Sequence, residues 1–383
     1  MHRRALEHAR ARAYRASLGT PFTAPPDGRP RRFRIAMGDP QCPLDVMLEV
    51  LARADLLEET GRLRREVQLI SVGDHFDWGT PQEREQAATD GLAILAWLAS
   101  HPADQVLICA GNHDLSRVGD LIHHDDAGFA SLQALADAQS PDDPGAEAAF
   151  LRQRPGLATS GLARRDLSSF REVQRHWVAH LLDRRRLRLA QALGPSLLVT
   201  HAGVTLDEAS MLGIDPSRVA DAATWERTLN LALDRAWRLR GRGPLSIPGL
   251  YRPGSVEDGE GVGVVFHRAS IQAGTRSPPR RRYLPQRLPL GLTQVIGHIR
   301  DHKSRTLLGL PTGPSRDGVL RHLTVGADRS FRYAHGTRVS AGPGEAVVFH
   351  VDGSLRSAAP ETYELFDLDT LRPWRPPASF SRA

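Results

Sequence analysis

Five residues in this chain of 383 carry side chains whose types and setting suit metal chemistry: Asp39, Asp74, Asn112, His201 and His298. Each closes a short apolar run, and four directly follow a glycine, as Gly38-Asp39, Gly73-Asp74, Gly111-Asn112 and Gly297-His298. Two carboxylates, one amide and two imidazoles form a donor set for two divalent ions, with one Asp able to bridge them. Two such ions, roughly 3.5–4 Å apart, clamp the attacking and leaving oxygens of a phosphoryl transfer. Isolated histidines are more often satisfied core or surface residues. That reading suits His75, His123, His124 and His267, whereas His201 and His298 depart from it by sitting at strand ends.

The elements around these residues explain how they would meet. FRIAMGDPQ (33–41), VQLISVGDHFDWG (67–79) and VLICAGNHDL (106–115) read as strands. Segments with helical spacing, 44–65 and 81–99, separate them. Strand, helix, strand, helix, strand is the signature of right-handed βαβ units and a parallel sheet, whose carboxyl ends share one edge. SLLVTHAG (196–203) and TQVIGHIRDH (293–302) deliver the two histidines in the same way.

Residues 1–20 predict a helix, and PFTAPPDGRPRR (21–32) a Pro-rich linker. Residues 116–194 predict a mostly helical insertion with a loop at SPDDPG, and 166–193 read as one long Arg-rich helix. A helix over 217–240 carries Trp225, Leu229, Leu233 and Trp237 on one stripe, a core pattern. Residues 241–292 form an irregular, Gly-, Pro- and Arg-rich excursion. HLTVGAD and EAVVFHVDG supply late strands that end the domain at 353, and 354–383 read as a surface tail.

Composition sets outer bounds. Hydrophobic content of 40% and charged content of 25% fit a soluble globular chain. No run approaches the roughly 18–20 apolar residues of a membrane helix. The basic first residues lack the apolar segment of a secretory signal, and only Cys42 and Cys109 are present, so a reducing, cytoplasmic setting is expected. Net charge is +6, carried almost wholly by arginine, with Lys303 the single lysine. The charge is scattered and reads as compositional bias. A nucleic-acid partner, which would want it on one face, stays an alternative.

The ordered motifs GD, GDxxD, GNHD, H and GH resemble the metallophosphoesterase (calcineurin-like phosphoesterase) superfamily over residues 33–353. HAG and the late GH place the resemblance nearest the branch of Ser/Thr phosphoprotein phosphatases and symmetrical diadenosine tetraphosphate hydrolases. The resemblance implies a four-layer α/β/β/α sandwich and a hydrolase in which metal-activated hydroxide attacks phosphorus directly. It implies that Asp39 binds the first metal, that Asp74 bridges, and that Asn112, His201 and His298 bind the second. It also implies His113 as proton donor or phosphate contact, oriented by Asp77. Arg117 and Arg300 are candidate substrate contacts, and the arginines of 164–188 and 276–287 candidate anion contacts.

This chain departs from the family at three places. Asp39-Pro40-Gln41 stands where Asp-x-His is usual, so the first site loses a nitrogen donor. Gln41 coordinates through its oxygen, or another group such as His302 substitutes, or the site is weak. The oxygen-rich option favours Mn²⁺ or Mg²⁺ over Zn²⁺ or Fe. Trp78 and Asp114 stand where protein phosphatases carry Arg and Glu. The expectation is a phosphatase-type enzyme acting on a phosphorylated small molecule or nucleotide. The alternatives are a Ser/Thr protein phosphatase, or a weakened member that binds phospho-ligands or nucleic acid.

Overall fold

The apolar runs that end in the candidate residues form the central strands of two sheets. In the computed structural model, which describes residues 2–139, 144–153, 157–257, 259–272, 281–311, 313–378 and 380, the chain is mixed α/β. The first half contributes β1 (Phe33–Met37), β2 (Val67–Ser71), β3 (Val106–Cys109), β4 (Leu187–Arg188), β5 (Ala190–Ala192) and β6 (Leu197–Thr200). Two small two-stranded ribbons follow, from β7 (Tyr251–Arg252) with β8 (Val262–Gly263), and β9 (Arg268–Ala269) with β10 (Arg282–Tyr283). The last strands are β11 (Thr293–Ile296), β12 (Arg321–Val325), β13 (Phe331–His335), β14 (Ala346–His350), β15 (Phe366–Asp367) and β16 (Arg372–Pro373).

One six-stranded sheet has the order β16-β15-β1-β2-β3-β4, the other β13-β12-β14-β11-β6-β5. β1 to β4 run parallel, joined across β1–β2–β3 by the helices Leu44–Arg53 and Arg84–Ala99, while β15 is antiparallel to β1. In the second sheet β6, β11 and β14 are parallel. Parallel strands buried on both faces want continuous apolar runs, which these sequences supply. One apolar cluster draws Ile70, Val72 and Cys109 from the first sheet and Val199, Val295, Val347 and Phe349 from the second, so the sheets share a core. The helix Arg84–Ala99 buries Leu92 through Ala99. The N-terminal helix His2–Ser17 packs against it through Ala5, Ala9 and Ala13, small residues that allow close approach.

Three segments differ from the sequence-based expectation, the first being the helix expected over 44–65, which stops at Arg53. The expected helix over 166–193 is helical only at Glu172–Asp183 as an α-helix, and the chain then turns at Arg185, whose φ is 54°. Beyond it, Leu187 and Leu189 are buried, and β4 ends one sheet just before β5 begins the other. Of the expected surface tail over 354–383, the described residues pack into the fold: β15 and β16 extend the first sheet beside β1, and Leu365, Phe366, Leu368, Trp374 and Phe380 are buried. Two-residue strands carry too little period to be read from sequence. Of the expected anion-contact segment 276–287, residues 276–280 lie outside the described residues.

Candidate metal centre and active-site cavity

The polar residues leave their strands through unusually tight backbone. Asp74, Asp77 and His298 have φ of 53°, 65° and 66°, a left-handed conformation that costs on the order of 1–3 kcal/mol each and persists only where surroundings enforce it. Asp114 is one enforcer. Its carboxylate accepts from Gly111 N–H at 2.8 Å, Asp74 N–H at 3.0 Å and His75 N–H at 3.2 Å, tying the β2 and β3 loops together. His75, between Asp114 at 3.0 Å and Ser71 at 2.8 Å, is a satisfied core histidine. Two glycines are required by close approach. A Cβ at Gly111 would lie 2.0 Å from Asp74 Oδ1, and one at Gly297 would lie 1.9 Å from Asp39 Oδ1.

Around this edge the donors converge. His201 Nε2 lies 3.1 Å from His298 Nδ1, 3.2 Å from Asn112 Oδ1 and 3.3 Å from Asp74 Oδ2. Its Nδ1 is 2.9 Å from the Val72 carbonyl, which orients the ring and leaves Nε2 pointing at the cluster. Ligand atoms of Asp74, His201 and His298 fall within 4.8 Å of one another. Asp39 accepts from His298 N–H at 2.8 Å, and its other oxygen, buried Oδ1, has no hydrogen-bond partner. His298 Nε2 is buried and unpartnered too. Orphaned buried acceptors beside clustered carboxylate and imidazole donors fit divalent cations.

The electrostatics agree. Burial opposes ionisation of Asp74, but His201 and His113 overcome it and hold the carboxyl at about 2. Burial also opposes charge on His201, yet Asp74 and Asp39 raise it to about 9. Asp39 is pushed well above the carboxylate range by burial and then by the neighbouring Asp352. The two carboxylates ask for positive charge at the centre of the cluster, and His201 supplies it as a proton that a bound cation would replace.

Gln41 lines the same cavity, and its Nε2 donates to the Phe76 carbonyl at 2.7 Å, which leaves Oε1 as its acceptor. His302 is exposed on the helix Asp301–Leu307 and does not line the cavity, so it does not replace a donor at Gln41.

Beside the donors, His113 Nδ1 lies 2.9 Å from Asp77 Oδ2 and its Nε2 3.9 Å from Asp74 Oδ2. Desolvation lowers the imidazole's basicity, but Asp74 and Asp77 outweigh it and raise the pKa to about 9. Asp77 is fixed from several sides. Arg117 donates to both carboxylate oxygens, at 2.6 and 3.0 Å, and Ser169 donates at 2.7 Å. Arg117 is wholly buried, its guanidinium 4.5 Å from the Phe76 ring centroid, and it does not line the cavity. The expectation that Arg117 contacts substrate is therefore corrected: its charge is committed to Asp77. In the sequence, Arg117 follows His113 by one helical turn, which places it near the site without saying which way it faces.

The cavity measures about 340 Å³ and is lined by Asp39, Gln41, Asp74, Asn112, His113 and His298, with Arg300, Arg165, Arg268 and Lys303 at its cationic side. Arg300 is exposed and lines the cavity. Sequence reasoning does not single out Arg268, Lys303, Glu260 or Asp352 as site residues. Asp352 has a readable signal, since it ends the apolar run EAVVFHVDG as the other candidates end theirs.

No protein-family model matches the chain, and no curated protein matches it. Among solved structures, the cold-active protein tyrosine phosphatase of a psychrophilic Shewanella species is similar at 14% identity and a TM-score of 0.36, over 92% of this chain and 79% of that one. A protein serine/threonine phosphatase from Saccharomyces cerevisiae is similar at 12% identity and a TM-score of 0.35, over 83% and 73%. Likenesses of this strength assign no activity, and the reading below rests on the chain's own residues.

Proposed function

We propose that the protein is a metal-dependent phosphoester hydrolase of metallophosphoesterase type, with a four-layer α/β/β/α core that runs from β1 through β16, acting in the cytoplasm on nucleotide-like or other small phosphorylated substrates. The observation that carries this reading is the convergence of Asp74, Asn112, His201 and His298 around one point beside the orphaned Asp39 Oδ1. Asp39, Gln41 Oε1 and Asp74 would hold a first ion, and Asp74, Asn112, His201 and His298 a second, with Mn²⁺ the favoured metal. When bound, the ions supply Lewis-acid charge that activates water and stabilises the phosphoryl oxygens.

The chain's own residues do the rest. Arg268, Arg300 and Lys303 draw the anionic substrate into the cavity and neutralise its peripheral oxygens. His113 keeps Nδ1–H on Asp77 and, with its pKa raised to about 9, carries a second proton at Nε2 that it donates to the departing oxygen. Asp77, clamped by Arg117 and Ser169, fixes the ring's angle and charge. The test is hydrolysis of p-nitrophenyl phosphate and dinucleoside polyphosphates by the chelator-treated protein, with and without added Mn²⁺. Turnover restored by Mn²⁺ supports the reading. Tight binding of nucleotides without turnover at any metal would instead favour a phospho-ligand binding protein.

A further inference from the structure

The two sheet ends that carry Asp39 and Asp352 are pressed together. A Cβ on Gly38 would lie 2.2 Å from the Val351 carbonyl oxygen and 2.7 Å from Asp352 N. The residue after β1 thus abuts the residues after β14 with no room for a side chain between them. Asp352 is 6% exposed and lines the same cavity as Asp39, Gln41 and His298.

Asp352 is also held firmly. Its Oδ1 accepts from Ser354 N–H at 2.9 Å, its carbonyl accepts from Arg321 Nη2, and Gly353 N–H donates back to Val351 at 2.9 Å. The same Arg321 nitrogen also donates to the Ile299 carbonyl at 3.0 Å, so the nearby guanidinium engages backbone. Among the described residues no Arg or Lys pairs with either carboxylate. Two buried carboxylates lining one cavity are unfavourable unless a cation joins them, and Asp39 Oδ1, in a residue 5% exposed, has no hydrogen-bond partner and lies 3.9 Å from His201 Nδ1.

Resting on the metal-dependent reading above, we propose that Asp352 is a ligand of the first ion, completing the shell that Gln41 leaves short of an imidazole. The first ion is then held by oxygens alone, from Asp39, Gln41, Asp74 and Asp352, while the second keeps His201 and His298. An all-oxygen shell takes Mn²⁺ or Mg²⁺, whereas the imidazole-bearing shell accepts Zn²⁺ as well. The centre is therefore asymmetric in its metal preference.

The test counts ions rather than turnover. The chelator-treated full chain is titrated with Mn²⁺ alone, by calorimetry and elemental analysis, for wild type, Asp352→Asn and Asp39→Asn. Wild type is expected to bind two ions. Asp352→Asn should keep one with unchanged affinity and bind the other at least tenfold more weakly, as Asp39→Asn does. Two ions bound to Asp352→Asn within twofold of wild type would overturn the assignment to Asp352 and leave the hydrolase reading standing. A wild-type chain that binds no divalent ion would overturn that reading itself. Should the variants fail to fold, anomalous scattering from Mn²⁺ in wild-type crystals decides. An ion within bonding distance of an Asp352 oxygen supports the proposal, and an ion on Asp39 with no Asp352 oxygen in its shell contradicts it.

Discussion

At the scale of single residues, His113 has the sharpest expected signature. Its ring is oriented by Asp77 and its pKa is raised to about 9 against the cost of burial, so it carries a proton at neutral pH. General acid catalysis is typically worth about 10²–10⁴ in rate, and a good leaving group needs little of it. His113→Asn is expected to keep its metal content and to lose far more activity on an alkyl phosphate than on p-nitrophenyl phosphate. Equal losses on both would assign the ring to phosphate positioning. Arg117 carries a different kind of burden. Its guanidinium and the Asp77 carboxylate are both fully buried, and removing one partner of such a pair leaves an uncompensated charge that costs about 3–5 kcal/mol. Arg117→Met should lower the unfolding free energy by that amount in urea titrations and flatten the pH–rate profile set by His113. A fully stable variant would mean that water reaches Asp77 once the arginine is gone.

At the scale of elements, the site is built where apolar strands stop abruptly. Gly297 illustrates how little slack exists: a methyl group there would lie 1.9 Å from Asp39 Oδ1. Gly297→Ala is expected to retain far-UV circular dichroism and lose Mn²⁺ binding at least tenfold, and unchanged binding would show that Asp39 has room to move. The pattern of glycine followed by a donor at the end of an apolar run is visible in sequence because burial and backbone crowding both demand it. That is why the amino-acid order alone marks Asp39, Asp74 and Asn112 at strand ends of the first sheet and His298 at one of the second, with His201 ending its strand without a glycine. Facing direction is not visible in the same way. Arg117 reads as a substrate contact one turn after His113 but is bound to Asp77 instead, and Asp352 reads as the end of a late strand although it lines the cavity. Strands of two or three residues are equally silent, so β4, β5, β15 and β16 emerge only from pairing. The last two correct the view of the C-terminus most strongly. Trp374 is 6% exposed and donates its indole N–H to the Ala54 carbonyl at 2.9 Å. Trp374→Ala should therefore destabilise the protein by about 3–5 kcal/mol, as large-to-small core changes do, where a surface tail would lose almost nothing by thermal or chemical denaturation.

At the scale of the whole molecule, the two sheets hold their charged edge at an electrostatic cost that ions would relieve. In the metal-free chain, burial opposes charge on His113 and His201, yet Asp74 with Asp77 beside the one, and Asp74 with Asp39 beside the other, outweigh it and raise both from 6.5 to about 9. A raised histidine pKa adds stability that is complete below pH 6.5 and is lost as pH climbs through 9. Asp74, lowered from 3.8 to about 2 by His201 and His113 against the opposing effect of burial, adds stability present above 3.8 and lost as pH falls through 2. His101, His298 and His350, held below 6.5 by burial, take stability away as pH drops from 6.5, so the metal-free melting temperature should peak at about pH 6.5 and decline toward 9 and toward acid. Divalent ions compete with the proton on His201, so added Mn²⁺ should stabilise more at about pH 8 than at about pH 6, and where it stands at roughly a hundredfold excess over Kd the stabilisation is about 2.7 kcal/mol. Metal-independent melting curves across that range would contradict it. The central claim is that converging strand ends make a metal-dependent phosphoester hydrolase, and one measurement tests it most directly. Turnover of p-nitrophenyl phosphate is followed while Mn²⁺ is titrated into the chelator-treated chain, for wild type and Asp74→Asn side by side. The account predicts that activity appears with Mn²⁺ in the wild type, and that the variant neither holds both ions nor turns over. Activity that survives chelation, or an Asp74→Asn chain that keeps both ions and full turnover, would contradict it.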